Sequence, residues 1–570
     1  MDKNYMNKFW HSSAHVLAYA VKNLFPNVKV AIGPAIENGF YYDFDNLELK
    51  DEDLKRIEDE MKKIIKQKYF FTKKIISKED ALNIFESEPY KIELIKSIPV
   101  DEEISIYELN EFKDLCAGPH LEDDISNIKA IKLLNIAGAY WKGDSNNKML
   151  TRIYGISFPE KSQLKEHLEM LGEAKKRDHR LLGKTLDLFS MHPEAPGSVF
   201  WHHNGWILFN NVINYWRKVH RKYGFLEINT PQVMDKALWE KSGHWQLYKE
   251  NMFISKLHDK EYALKPMSCP GNILYYKESV HSYKEFPLRI AELGLVHRNE
   301  LSGVLHGLMR VRQITQDDAH IYVTEELLEN EIINIINMAF ELFRKFGFEN
   351  FDIEVGVRSE AKKDKYLGDD EGWNKAENAL KNALEKMNLN YSVEEGEAKF
   401  YGPCIDIMIK DSLKRKWQCS TIQLDFNLPK RFDLEYVDKN GEKKVPIMLH
   451  RTLLGSLERF LGILIEHHAG VFPEWLSPVQ VSIIPVNENH IEYSKKVFDF
   501  LEDNSIRAVL VPPIESLSKR LRNSIVQKIP YSFILGDEEV NENIISFRKY
   551  GDVKTEKIKL CDFKVKNLKV

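Results

Sequence analysis

The sequence predicts an α+β protein built of several domains, and three observations carry that prediction. The chain has 570 residues, enough for about three or four domains. Residues 1 to about 160 mix helix-periodic stretches with glycine-punctuated, strand-like ones, while the last 90 or so residues alternate strands with helices. Between them, residues 289–322 (RIAELGLVHRNELSGVLHGLMRVRQITQDDAHIY) read as two strands joined by a loop containing Gly303 and Gly307.

Composition narrows the classes. Hydrophobic residues make up 43% and charged residues 29%, the balance of a globular chain. The formal charge is -5, so any nucleic-acid contact must come from local basic patches. No apolar run reaches the roughly 18–20 residues of a membrane span, and the polar N-terminus lacks a signal-peptide pattern. Five cysteines, Cys116, Cys269, Cys404, Cys419 and Cys561, are sparse and odd in number. A reducing compartment, the cytoplasm, is expected, with any special cysteine acting as a ligand or nucleophile.

Residues 9–25 (FWHSSAHVLAYAVKNLF) have helical periodicity, so His11 and His15 share a face. Further on, Cys116 and His120 form a second i, i+4 pair. Two such pairs suit a zinc clamp, or equally the positioning of a water or sugar hydroxyl for hydrolysis. The alternative is a surface histidine pair and a buried cysteine. Residues 51–68 read as a charged helix, 89–95 as a short element and 135–154 as strands and turns. Residues 161–183 read as one charged connecting helix.

A new domain is expected near Leu186. Trp206, Phe209, Ile213, Trp216 and Val219 recur at helical spacing within 204–223, and Gly224 can cap that helix. The strand FLEINTPQV follows, ending at Pro231. In the hairpin, alternation puts Arg310, Arg312, Gln316, Asp318 and His320 on one face of the second strand, and Arg298 with Glu300 on one face of the first. Fixed cations beside a carboxylate and a histidine suit phosphate and a polar small molecule. The alternative is a solvated strand face. Residues 324–347 look helical, and 358–388 look like an insertion ending in a helix. Phe400 to Asp406 read as a turn into a strand. In the strand 416–426, Thr421 and Gln423 share a face; Gln418 falls on the other unless a bulge intervenes. A strand PIMLH precedes RTLLGSLERF, read as opening a helix. Arg459 near its start opposes the helix dipole, which favours a functional role. Residues 478–570 alternate strands and helices, predicting a mostly parallel sheet with local basic character from Lys519, Arg520, Arg522, Lys528, Arg548 and Lys549, for which a solvated face is the alternative.

Together, KRDHRLLGKTLDLF, EKSGHW, KPMSCPGN, the hairpin and LHRTLLGSLERF occur in the order found in the threonyl-tRNA synthetases, which the chain resembles over essentially its whole length. These are class II aminoacyl-tRNA synthetases. The resemblance implies a class II core of antiparallel sheet over 186–477, an N-terminal α+β editing domain (1–160), a helical linker (161–185) and a C-terminal α/β anticodon-binding domain (478–570). The small ubiquitin-like N-terminal domain of many members is not found in this sequence. The first class II motif corresponds to the helix and strand ending at Pro231, implying a homodimer.

The implied activity is ATP-dependent ligation of L-threonine to tRNA(Thr), with hydrolysis of mischarged Ser-tRNA(Thr). By the resemblance, Cys269, His320 and His450 bind one Zn2+ per subunit. Gln316, Asp318, Tyr401 and Gln423 contact threonine. Arg298, Glu300, Arg310, Gln418, Thr421 and Arg459 contact ATP, accompanied by Mg2+. His244 lies near the terminal ribose of the tRNA; with Arg298 and Arg459 it completes the catalytic set. His11, His15, Lys91, Asp114, Cys116 and His120 correspond to the editing site, to which no zinc is assigned. Glu539 and Arg548 correspond to anticodon-reading positions. A hydroxyl-requiring metal would reject valine, whereas serine differs by one methyl group, which binding discriminates by only roughly 10- to 200-fold; hence the second, hydrolytic site.

Two positions and one segment depart from the family pattern: Cys404 where lysine is usual, Asn272 where histidine is usual, and Val511 to Glu515 in place of a polar run. A non-catalytic RNA-binding paralogue is the alternative, with Cys404 its only support. A free-standing editing hydrolase is opposed by the complete ligase core.

Overall fold

A computed structural model describes residues 2–99, 101–144 and 146–563. They form two compact units, 1–173 and 174–570.

In the first unit, α1 (Lys3–Leu24) begins at Asp2, whose carboxylate accepts the Asn4 N–H at 3.1 Å and so satisfies one of the free donors at the helix start. Phe9, Val16, Leu17 and Ala20 of α1 are fully buried against β1 (Gly39–Asp45) and α2 (Asp51–Lys66). A short helix, α3 (Pro89–Ser97), precedes β2 (Ile104–Leu109) and β3 (Phe112–Leu115), which form a three-stranded sheet with residues Thr72–Ile76. The long pair β4 (Ala130–Tyr140) and β5 (Met149–Phe158) completes a five-stranded antiparallel sheet through β1. The glycine-punctuated segment thus folds as the expected strands. Cys116 and His120 do not lie on a helix: they follow β3 in a turn around Gly118. Gly118 has φ +78°, and a Cβ there would meet the Tyr107 hydroxyl at 2.3 Å.

The expected helix 161–183 is two helices, α4 (Lys161–Arg177) and α5 (His179–Thr185). Asp178 separates them because its carboxylate caps α5, accepting the Arg180 N–H at 2.8 Å. In α6 (His203–Lys222) Phe209, Ile213, Trp216 and Val219 are buried as expected, but Trp206 is half exposed. The strand expected over FLEINTPQV shrinks to β6 (Leu226–Glu227). Beyond it the Thr230 N–H is taken by the Glu292 carboxylate at 2.9 Å, so the ladder stops.

After α7 (Cys269–Tyr276) come β7 (Leu288–His297), β8 (Gln313–Val323), α8 (Glu325–Lys345), β9 (Phe351–Val357), α9 (Asp370–Lys386), β10 (Ser392–Glu395), β11 (Cys404–Lys410), β12 (Lys416–Asp425), β13 (Ile447–Ser456) and α10 (Leu457–His467). The sheet order is β6-β7-β8-β13-β12-β11-β9-β10, antiparallel through its middle with parallel pairs at both edges. RTLLG belongs to β13 rather than to a helix start; Ser456 is the cap of α10, accepting the Arg459 N–H at 3.2 Å. Helices α8 and α10 cover one face with a core that includes Ile336, Phe343, Phe460 and Leu464. That burial leaves the other face of the middle strands for polar side chains.

The last region contains β14 (Val481–Pro485), α11 (Ile491–Asp503), β15 (Ala508–Leu510), α12 (Leu517–Val526), β16 (Tyr531–Leu535), α13 (Asp537–Glu542), β17 (Ile544–Lys549) and β18 (Glu556–Lys559). Its sheet is mixed: β15-β14-β16 are parallel, but β17 and β18 add antiparallel, because β17 follows β16 after only the short α13 and not a crossover.

Candidate active sites

Strand register builds the first site. His320 on β8 pairs with His450 on β13, which pairs with Gln423 on β12. One row further, Asp318 pairs with Thr452, and Thr452 with Thr421. Cys269 at the start of α7 is brought to the same place, so that one donor atom from each of Cys269, His320 and His450 lies within 4.8 Å of the others. All three are buried, and neither ring nitrogen of His320 has a hydrogen-bond partner. An orphaned buried imidazole beside a thiol and a second imidazole fits a three-coordinate protein site for zinc with a further position open. Burial pushes the Cys269 thiol up and the His320 imidazole well down, which favours the neutral forms; a bound dication would reverse this for the thiol.

These residues open onto a cavity of about 540 Å³ whose walls include Arg298, Gln316, Asp318, Thr421 and Gln423. Tyr401 also lines it and donates its hydroxyl hydrogen to Gln423 Oε1. Burial pushes the Asp318 carboxyl up to about 7. Gln418 reaches the same face: β12 carries an extra residue where Ile407 pairs with Ser420 but Met408 with Gln418, and Gln418 Nε2 donates to Thr421 Oγ1 at 3.4 Å.

The remaining ATP-site candidates are spread more widely. Arg298 and Glu300 lie just past β7, and Arg310 and Arg312 lie before β8, not on it. The ladder starts at Gln313 because the Arg312 and Gln313 N–H groups both donate to Gly197 O, at 2.7 and 3.3 Å. Arg310 Nε donates to Glu300 at 3.0 Å, so these two candidates pair with each other. The loop carrying them is tied to α10: His179 accepts the Leu308 N–H at 3.1 Å and contacts Glu466 at 2.7 Å. Arg459 lies with its guanidinium 5.8 Å from the Trp417 ring centroid. His244 is buried, with ring nitrogens 2.8 Å from Ser242 Oγ and 3.1 Å from Met267 Sδ; burial holds it down to about 4.

Three supporting groups escaped the sequence reading. Asp425, on the same alternation as Thr421 and Gln423, accepts from His450 Nε2 at 2.9 Å. Asp317 accepts the N–H groups of Leu453, Leu454 and Gly455 at 2.8–3.1 Å where β8 and β13 lose register. The fully buried Arg451 reaches His220 of α6 at 2.5 Å. Alternation was the available signal for Asp425; nothing local marked the other two.

The first unit gathers a second site. His11 and His15 on α1 meet Cys116 and His120, with one donor atom from each within 4.8 Å of the others. Cys116 Sγ lies 3.4 Å from a ring nitrogen of both His11 and His120. Behind them Asp114 accepts from Lys91 and, at 2.6 Å, from the Tyr42 hydroxyl, and lies 3.4 Å from His15. All six candidates are therefore assembled, though from a helix, a second helix, a strand and a turn. Burial lowers His11, His15 and His120 and raises Cys116 to about 12, so the cluster is a set of neutral donors and acceptors.

Comparison with known proteins decides the family. A threonine–tRNA ligase of Caldanaerobacter subterraneus subsp. tengcongensis is 54% identical over 564 residues, 98% of this chain and 87% of that protein. The chain belongs to the threonyl-tRNA synthetase family. A threonine–tRNA ligase of Carboxydothermus hydrogenoformans is 53% identical over 95% of this chain and 85% of its own length. The crystal structure titled as the RNA-binding domain of threonyl-tRNA synthetase from Cryptosporidium parvum Iowa II superposes with TM-score 0.66 at 38% identity, covering 68% of this chain and 97% of that one. Residues 252–468 match the tRNA synthetase class II core domain (G, H, P, S and T) and 480–567 an anticodon binding domain. Residues 104–154 match the second additional domain of threonyl and alanyl tRNA synthetases. In this chain the anticodon candidates are engaged within the fold: Glu539 accepts from Gly536 N–H at 2.8 Å and from Ser546 Oγ at 2.5 Å, while Arg548 Nε is buried without a partner among the described residues. Of the departures, Asn272 accepts from the Tyr322 hydroxyl at 3.0 Å, and Cys404 is buried beside Gln423.

Proposed function

We propose that this protein activates L-threonine with ATP, transfers it to tRNA(Thr), and hydrolyses Ser-tRNA(Thr) at the cluster in its first unit. The observation that carries this reading is the shared cavity: the Cys269–His320–His450 trio and Arg298 open onto the same space. In activation a threonine carboxylate oxygen bonds to the α-phosphorus of ATP and the bond to pyrophosphate breaks. Arg298 balances the charge on the α-phosphate; Gln316, Tyr401 and Gln423 orient the amino acid; Asp318 accepts the hydrogen bond of its hydroxyl. A zinc ion held by Cys269, His320 and His450 would supply a Lewis-acid position that a threonine amino and hydroxyl group satisfy and a valine side chain leaves open. Glu300, Arg310, Gln418, Thr421 and Arg459 contact ATP, whose phosphate charge magnesium would partly neutralise. His244 serves the transfer step near the terminal ribose.

For editing, water adds to the seryl ester carbonyl and the ribose oxygen leaves. The neutral imidazoles of His11, His15 and His120 can accept the water's proton and return it. Cys116 completes the pocket, and Lys91 with Asp114 braces it. The domain assignment that follows is editing over 1–160, linker over 161–185, catalysis over 186–477 and anticodon binding over 478–570, with Glu539 and Arg548 at the anticodon. A homodimer through α6 and β6 is supported by their exposed Trp206 and Leu226. Among the described residues no helix is long and apolar enough to cross a membrane. That and the five free cysteines support a cytoplasmic location. ATP–pyrophosphate exchange tests the reading: threonine supports exchange and valine does not. Absence of threonine-dependent exchange would overturn it.

A further inference from the structure

The activation cavity has cations on two walls. Arg298 enters from the end of β7, and Lys399 from the turn before β11; β8, β13 and β12 lie between those strands in the sheet, yet both side chains line the one cavity. Arg310 and Arg312, by contrast, are engaged by Glu300 and Ser302. The Lys399 ammonium has no hydrogen-bond or ion-pair partner among the described residues. Its backbone is fixed: Lys399 N–H donates to Gly402 O at 3.0 Å and Gly402 N–H donates back at 3.2 Å. The same turn carries Tyr401, which holds Gln423. A half-buried lysine on a pinned turn, whose ammonium meets no carboxylate among the described residues, is poised for an anion from outside the fold.

We propose that Lys399 is a second anion-holding residue of the activation step, contacting the α-phosphate of ATP from the wall opposite Arg298. As the carboxylate oxygen adds to phosphorus and the bond to pyrophosphate breaks, negative charge shifts onto the phosphoryl and leaving oxygens. An ammonium already in place stabilises that charge without reorganising, and its three donors follow the shift. The proposal rests on the ligase reading above.

The test uses the full-length zinc-loaded enzyme in ATP–pyrophosphate exchange with threonine. Lys399→Ala should lower exchange by roughly 10²-fold or more, the loss typical of removing one preorganised charge-stabilising group. Lys399→Arg should recover most of it. A relocated cation gives the sharper arm. Cys404 lies under the same segment, its Sγ 3.7 Å from Glu397 O, and pairs in register with Gln423 on the cavity face. Lys399→Ala combined with Cys404→Lys should therefore regain activity over Lys399→Ala alone. Zinc content, threonine affinity by calorimetry and thermal midpoint should stay at wild-type values in Lys399→Ala. Wild-type exchange in Lys399→Ala would overturn the proposal, as would a parallel loss of zinc or folding that Lys399→Arg also shows. Failure of the wild-type enzyme itself to exchange would instead overturn the ligase reading, and the role of Lys399 with it.

Discussion

His450 donates its Nε2 hydrogen to Asp425 Oδ2 at 2.9 Å, and Asp425 is fully buried. The carboxylate also accepts the N–H groups of Asn427 and Leu428 at 2.7 and 3.0 Å, so it cannot turn away. The contact fixes the imidazole tautomer and leaves the lone pair on Nδ1. Outer carboxylates of this kind are worth 10- to 100-fold in metal affinity, roughly, when lost. Asp425→Asn should weaken zinc retention by about that factor, read by competition with a chromogenic chelator. Unchanged retention would show that His450 is not held for a metal.

His11 and its partners lie in the other compact unit. His11→Ala should leave threonine-dependent pyrophosphate exchange unchanged while slowing hydrolysis of Ser-tRNA by roughly 10²- to 10⁴-fold, the usual worth of a positioned proton-transfer group. Deacylation of isolated Ser-tRNA by the variant measures it. Normal clearance would remove the cluster from the editing reaction.

Lys265 and Glu292 form a buried ion pair, 2.6 Å long and about 1% exposed at each side chain, and both also bond Thr230. Removing one partner leaves the other charged and dry, a loss of about 3–5 kcal/mol. Glu292→Ala should lower the urea midpoint accordingly, and Lys265→Met combined with Glu292→Leu should recover much of the loss. Equal midpoints for wild type and Glu292→Ala would mean the pair is not desolvated.

His468 gives a pH dependence. Burial holds its imidazole down from 6.5 to about 4, and a ring nitrogen lies 2.9 Å from Phe346 O. The unfolded chain thus takes up a proton below about 6.5 and the folded chain only near 4, so stability is lost as pH falls through that window, by about 1.4 kcal/mol per unit. Between pH 7 and pH 5 the wild type should lose about 2 kcal/mol more than His468→Gln, measured by urea unfolding at both pH values. Parallel losses in the two proteins would assign the acid sensitivity to other groups, His220 among them.

How much of this was legible depended on whether the signal was local. Alternation alone placed Gln316, Asp318 and His320 on one face. It does not extend to Arg310 and Arg312, because nothing in those letters shows that the Arg310 N–H goes to His306 O and the Arg312 N–H to Gly197 O. The His320–His450–Gln423 row needs the strand order, which is set by packing and not by any short segment. Cys269 joins it only through the position of α7. In the first unit, the i, i+4 spacing was physically meaningful for His11 and His15 on α1. For Cys116 and His120 it was incidental, since a turn at Gly118 brings them together. Family resemblance supplied what periodicity could not; neither supplied Asp425, whose importance appears only once His450 is beside it.

Cys419 is the extra residue of β12, left without a partner between Ser420 and Gln418 in the pairing with β11. It shifts the parity of β12, so that Gln418 and Thr421 point the same way despite being an odd number of positions apart. Every side chain upstream of it keeps its place only while the residue count is preserved. Among natural relatives this strand should therefore accept changes of letter far more readily than changes of length. A one-codon deletion there would turn Gln418 inward and Trp417 outward, a whole-face inversion from a lesion that alters no catalytic residue.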